Sequence, residues 1–466
     1  MTRNILRLAG SATLAACLCS SIASAAAPND GAVYNGWGLF GGGKNFAAFD
    51  ISGNLTDLAA ASVVGPDGSL YVAGTVEDGN TTRIGVAKFN PDGILDLTFS
   101  DDGRNVTLES DVIATGIALT PGGHLLISGI KIVSASEHDM IVCRFHSGSG
   151  ANIDFPAPVN NACVRPVWPA GTKDEAVGVV VYPDNSFVIG GTIGVNNGGY
   201  AAFARFQANG QPDLSFGNIL GSNLTLIRSE NIFVRHRINA ITMASNGKIV
   251  AVGSTRVVND NKDIGLMLRI RSDGTPDGLS QTPEFPFGLA DVPETDIQLR
   301  SVVTVKESSH PDDATYIAGA ARIGGFDQGL VVKVTPAGTA FSSSDFGIHP
   351  GFSLFSLNGS HLVFQSIAYQ PGVGFLLGSS RPGTDAMDMA VQRIDRYGWT
   401  DTTFGTGGGF FVDFGYAGAI DLLASVKVQG DGIYVAGHSL VSGGDFNFTV
   451  AKHRLDRIFF DGLEDD

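Results

Sequence analysis

Seven cations recur at one place in a repeating pattern: Lys88, Arg144, Arg205, Arg269, Lys333, Arg393 and Lys452. Each sits late in an apolar run, as in "IGVAKFNPDG" (84–93), "AAFARFQANG" (201–210) and "MAVQRIDRYG" (389–398). Two chemistries suit such a series. A sevenfold basic ring could hold an anion. Alternatively, each cation pairs with an acid of its own or a neighbouring repeat, because a partly buried cation needs a partner to offset its desolvation. The spacing favours pairing. An acid lies eight residues on in four periods (Asp96, Asp213, Asp277 and Asp401), and Asp154 lies ten after Arg144.

Other groups offer less. The nine histidines are scattered, and the sequence holds no HExxH, GxSxG, P-loop or GxGxxG between strand and helix. Asn259, Asn261 and Asp263 alternate like the start of a calcium loop, but no Glu follows at the required position, so turn chemistry explains them. Beyond residue 25 the cysteines are Cys143 and Cys163, too few for a CxxC zinc site. In an exported chain they can pair, and a disulfide is expected inside the second repeat. Cys143 would lie on a third strand and Cys163 on the fourth. Neither metal nor cofactor is expected. A hydrolase or lyase would need carboxylates converging on a funnel, and linear sequence cannot show convergence.

What positions the cations is a repeat. "DGSLYVAGT" (67–75) returns as "GGHLLISGI", "DNSFVIGGT", "NGKIVAVGS", "DDATYIAGA", "PGVGFLLGS" and "DGIYVAGHS" (431–439). The closing glycines Gly74, Gly129, Gly191, Gly253, Gly319, Gly378 and Gly437 are spaced near sixty residues. Six residues before each stands Gly68, Gly123, Asn185, Gly247, Asp313, Gly372 or Asp431, types that tolerate the positive φ of a tight hairpin. The apolar runs between are four or five residues long, which suits strands buried on both faces. One period holds about four short antiparallel strands. The fold class is all-β: a seven-bladed β-propeller of four-stranded antiparallel blades. The seventh period stops after its third strand, while residues 38–53 match the fourth strand of a period such as 403–418. An N-terminal strand near 44–51 is therefore expected to close the ring and remove its exposed edges.

Residues 1–25 read as a signal peptide, with Arg3 and Arg7 ahead of an apolar run and cleavage after Ala25. The alternative is a lipoprotein anchored through Cys17 of "LAAC". Without Arg3 and Arg7 the chain keeps 28 cations against 46 acids, a charge of −18, which excludes phosphate backbones and so nucleic acid as a partner. No later segment has eighteen consecutive apolar residues, so no transmembrane segment is expected. The domain reading is a single propeller over 28–456 and a tail over 457–466.

The repeats resemble the delta-60 repeat family of bacterial exported proteins. "VVGPDGSLYVAG", "VAKFNPDGILDLTFSDDG", "FARFQANGQPDLSFG" and "VQRIDRYGWTDTTFG" fit its pattern, and periods two and five depart most. The tail "RIFFDGLEDD" resembles a short aromatic-Asp-Gly tail on some exported repeat proteins. The resemblance implies a propeller-like fold and export, and no known reaction. The functional expectation is a monomeric, non-enzymatic binding or structural module, secreted or at the cell surface or periplasm, with a protein or glycan ligand. The alternative is a propeller hydrolase or lyase acting on extracellular polysaccharide. Two carboxylates about 5–10 Å apart at the funnel would favour the enzyme; an aromatic or apolar patch there would favour the binder.

Overall fold

The computed structural model describes residues 31–455 apart from 40–41, 52, 54–55, 169–171, 195–198, 218, 220–221, 228–233, 258–261, 278–283, 288–295, 308–309, 337–345, 348, 350, 358–359, 383–385, 416–418 and 442–443. The expected signal peptide with Cys17 and Ala25, the pair Asn259 and Asn261, and the 457–466 tail lie outside the described residues.

Seven four-stranded antiparallel sheets follow one another along the chain. Blades 1 to 6 occupy 57–106, 112–164, 175–227, 234–287, 296–355 and 364–412, each adding its strands in sequence order from the centre outward. The inner strands are Asp57–Val64, Val112–Leu119, Glu175–Val181, Val234–Met243, Asp296–Val305, Phe364–Gln370 and, in blade 7, Asp421–Gln429. Each inner strand touches the next, and the last touches the first, so together they ring a central channel.

Blade 7 draws only three strands from the C-terminal end. Its outer strand is Lys44–Ala47, with Lys44 opposite Ala451 and Ala47 opposite Phe448. The expected closure by the N-terminal strand is therefore the observed one. Gly31 and Arg454 add backbone bonds to the seam, and Ser62 Oγ bonds Ser425 Oγ at 3.1 Å between the inner strands of blades 1 and 7.

The core is seven apolar layers, one between each pair of adjacent blades. The second strand of blade 3, Phe187–Ile193, shows why the runs read as continuously apolar. Every residue in it is buried; Ile189 packs toward blade 2 and Val188 toward blade 4. Burying such side chains contributes about 1.5–3 kcal/mol each. Each blade face is covered by its neighbour, so the solvated polar face of an ordinary half-exposed sheet is absent from this strand.

The closing glycines have a reason that hairpin chemistry did not reveal. Every inner strand carries a register shift at the same level, for example between Ala59 and Ala61 and between Ala176 and Gly178. Each closing glycine pairs beside that bulge. At Gly74, Gly129, Gly191, Gly253, Gly319 and Gly437 an added Cβ would strike the carbonyl oxygen of the facing inner strand; at Gly378 it would strike Val426 and Leu423. Close backbone approach, not positive φ, requires the glycine.

The hairpin expectation holds at five of seven turns: Gly68, Gly123, Asn185, Gly247 and Gly372 have φ between 65° and 86°. It fails at Asp313 and Asp431. In period seven the positive φ falls one residue earlier, on Gly430. In period five an insertion rebuilds the turn, and the buried Asp313 carboxylate accepts the Ser245 N–H and O–H from blade 4 at 2.7 and 2.6 Å.

Candidate functional site

The seven recurring cations lie on third strands, with two strands between them and the channel. Lys88 meets Asp96 at 2.7 Å, Arg205 meets Asp213 at 3.3 Å, Arg269 meets Asp277 at 3.0 Å, and Arg393 meets Asp401 at 2.9 Å. These are the four acids eight residues on. Lys333 instead meets Glu307 at 2.8 Å, and Glu307 comes from the period-five insertion. Arg144 departs: its guanidinium donates to the main-chain carbonyls of Ile153 and Asp154 rather than to a carboxylate, and burial lowers its pKa. Lys452 lies over Tyr34 and Tyr434, 4.2 and 5.1 Å from their ring centroids, and burial lowers it too. Several cations also reach the next blade: Arg205 donates to Ser272 O at 3.0 Å, and Arg269 reaches Asp312 at 3.5 Å.

Cys143 and Cys163 face each other on the third and outer strands of blade 2 and are joined by a disulfide, with Cα atoms 4.1 Å apart. Asp263, the described member of the calcium-like stretch, holds Arg256 through both oxygens at 2.8 and 2.9 Å.

The channel presents different chemistry. A bulge pushes its extra residue out of the ladder, and the seven bulged residues are Ala60, Thr115, Val177, Asn239, Arg300, Gln365 and Ala424. Those of blades 2 to 6 line a cavity of about 340 Å³ together with Glu175 and Arg237. At the register positions matching these, blades 7, 1 and 2 carry Ala424, Ala60, Leu58 and Ile113, and the last two are exposed. The mouth therefore has an apolar side and a charged side.

On the charged side, Glu175 lies 3.5 Å from Arg237, and Arg300 donates to Gln298 Oε1 at 2.6 Å. Burial, reinforced by repulsion from Arg237 and opposed by Asp327, holds the Arg300 guanidinium below the usual arginine range. Arg237 is also a wall of an adjoining pocket of about 230 Å³, with Arg235, Arg256, His236 and Asp263. Arg235 is exposed and has no ion pair among the described residues. His236 is buried with Nδ1 3.0 Å from Thr255 Oγ1. Four arginines and two carboxylates line these two spaces, with Asp327 and Asp296 close enough to act on Arg300 and Arg256, in a chain whose net charge is −16. Glu175 is the one carboxylate lining the channel cavity among the described residues. Three residues past its bulge, Lys427 is open to channel solvent yet walled in by protein, which lowers its ammonium pKa.

Carboxylates crowd elsewhere. Asp388, Asp413 and Asp421 bring oxygens within 4.8 Å of one another where blade 6 meets blade 7. Burial, with help from Asp413 and Asp388, raises Asp421. Asp57 occupies the same first position of its inner strand and is pushed up to about 7 chiefly by burial.

The channel arginines escaped the sequence reading because they do not recur. Their signal was present: "RHRINA" and "IQLRSV" place charge where other periods have "LAAASVV" or "VIATGIAL".

A family model described as a domain of unknown function (DUF5122) β-propeller matches residues 65–99, 183–216 and 244–278. No curated protein matches the chain by sequence. Among solved structures, the polysaccharide lyase Uly1 is similar over 92% of this chain and 98% of its own, at 9% identity and a TM-score of 0.50. The PQQ-bound aldose sugar dehydrogenase of Streptomyces coelicolor overlaps 73% of this chain and 94% of its own at 13% identity and a TM-score of 0.41. Chaetomium thermophilum Sqt1, bound to the N-terminus of ribosomal protein L10, overlaps 86% and 98% at 12% identity, also with a TM-score of 0.41. The likeness is one of fold.

Proposed function

We propose that this chain is an exported, non-enzymatic propeller of the delta-60 repeat kind that binds an anionic glycan at its channel mouth. The observation that carries this reading is the excess of arginine there. Arg235, Arg237 and Arg300 stand in a concave, partly desolvated site of an acidic protein, where their field is focused. The apolar side formed by Leu58 and Ile113 gives the sugar's non-polar faces a surface to cover. The internal disulfide supports an oxidising compartment outside the cytosol, and among the described residues no helix is long and apolar enough to cross a membrane.

The test is titration of oligogalacturonate into the parent and into R237A/R300A, with ultraviolet absorbance and reducing ends followed over hours. Binding weakened at least tenfold in the variant, with no product released, supports the reading. Equal binding by both proteins overturns the site. Accumulation of unsaturated or newly reducing ends overturns the non-enzymatic assignment in favour of a lyase or hydrolase.

A further inference from the structure

We propose that the rim groove between blades 5 and 6 is a second, separate site for a carboxylate- or sulfate-bearing sugar unit, anchored by Arg381. The groove has a volume of about 510 Å³ and shares no residue with the channel cavity or its adjoining pocket. It does not rest on the reading of the channel.

Arg381 ends the second strand of blade 6, directly opposite Asp388. The matching positions of blades 4 and 5 are Arg256 opposite Asp263 and Arg322 opposite Asp327. Both arginines use that cross-strand acid, at 2.8 and 3.9 Å. Arg381 does not. Asp388 belongs to the buried group with Asp413 and Asp421, and the Arg381 guanidinium turns away to lie 4.7 Å from the Phe411 ring centroid. Its Nε is buried with no hydrogen-bond partner, and no carboxylate among the described residues pairs with it. Burial accordingly lowers its pKa. A desolvated guanidinium facing a cavity is a costly arrangement until an anion enters. Its planar fork matches carboxylate and sulfate oxygens.

The rest of the wall says what carries the anion. Trp399, half exposed, lies in the turn after the third strand, where the corresponding residues of blades 1, 3 and 4 are Ile94, Gln211 and Thr275. Phe355 and Leu357 face it from blade 5, and Gln392 and Thr400 supply polar groups between. A flat indole beside a fork of donors suits a pyranose ring: the apolar C–H face stacks on the aromatic and the acidic substituent reaches the arginine. An extended acidic peptide would use the charge and leave the indole idle.

The test is isothermal titration of oligogalacturonate (carboxylate), chondroitin sulfate oligosaccharide (sulfate), neutral cello-oligosaccharide and polyglutamate. The proteins are the parent, R237A/R300A, and R381A, R381K and W399A each made in the R237A/R300A background. At least one anionic sugar should bind the parent in preference to the neutral one. Relative to R237A/R300A, R381A should weaken it at least tenfold, W399A several-fold, and R381K should restore little, because it keeps the charge and loses the fork. R237A/R300A should leave this component intact, which separates the two sites. If R381A misfolds, R381K and W399A carry the test. Affinity equal to that of R237A/R300A in both R381A and W399A, loss of all anionic-sugar binding in R237A/R300A itself, no binding of either anionic sugar, or polyglutamate binding as tightly as sugar each overturns the proposal.

Discussion

Arg393 and Arg381 lie on neighbouring strands of blade 6, twelve residues apart, and end in opposite environments. Arg393 is 2% exposed and bonds the Asp401 carboxylate through Nε and Nη2, with the Phe404 ring 4.3 Å away. Arg381 has a ring beneath it and no acid among the described residues. Arg393 belongs to a series written into every period; Arg381 has lost the cross-strand acid pair its counterparts keep. The same contrast runs through the molecule. Recurring cations sit on third strands, mostly against acids, whereas Arg235, Arg237, Arg300 and Lys427 stand on inner strands at positions where no cation series runs through the blades. Repetition specifies what every blade needs to stand beside its neighbours. Departures from it mark where one blade does something the others do not.

The contrast can be broken by mutation. Arg393→Ala should have the largest effect, because it strands Asp401 and empties a packed position: a loss of about 3–5 kcal/mol, as for a buried pair missing one partner, read from the denaturant midpoint. A parent-like midpoint would remove Arg393 from the structural group. Next comes a departure from the repeat that serves stability, the Cys143–Cys163 bridge, which spans a separation of 20 residues. Cys143→Ser with Cys163→Ser should lose roughly 3 kcal/mol. Two reactive thiols in the denatured, unreduced parent would show that the bridge does not form.

A smaller effect is expected at Asp57. Its pKa is raised from 3.8 to about 7, so the protonated carboxyl is favoured by folding. The contribution is fully present below pH 4 and is lost as pH rises through 7. Asp57→Asn keeps an acceptor for the Phe49 N–H and removes the charge. It should stabilise the protein at pH 8 by on the order of 1–3 kcal/mol, read as a raised melting temperature, and change little at pH 4. A parallel shift at both pH values would contradict this. The smallest stability change is predicted for Arg237→Ala with Arg300→Ala: within about 0.5 kcal/mol of the parent, since these side chains face open channel.

Much of the fold was legible because it is written seven times. The blade count, the short apolar strands and the missing fourth strand of period seven all follow from comparing periods, and so does the eight-residue step from Lys88 to Asp96. Partners supplied from outside a period were not legible. Glu307 reaches Lys333 only through an insertion, and Tyr34 reaches Lys452 only because the ring closes. The bulge facing each closing glycine was hidden as well, since a register shift leaves no residue signature of its own. The channel and rim sites were missed for the opposite reason: each is assembled from several blades at positions that do not recur, so searching for recurrence passes over them.

The most direct test is denaturant unfolding of R393A and R381A side by side at neutral pH. If recurring cations are structural and the solitary ones are held free, R393A loses several kcal/mol while R381A matches or exceeds the parent, its uncompensated charge having been removed. Equal losses in the two variants would contradict the account.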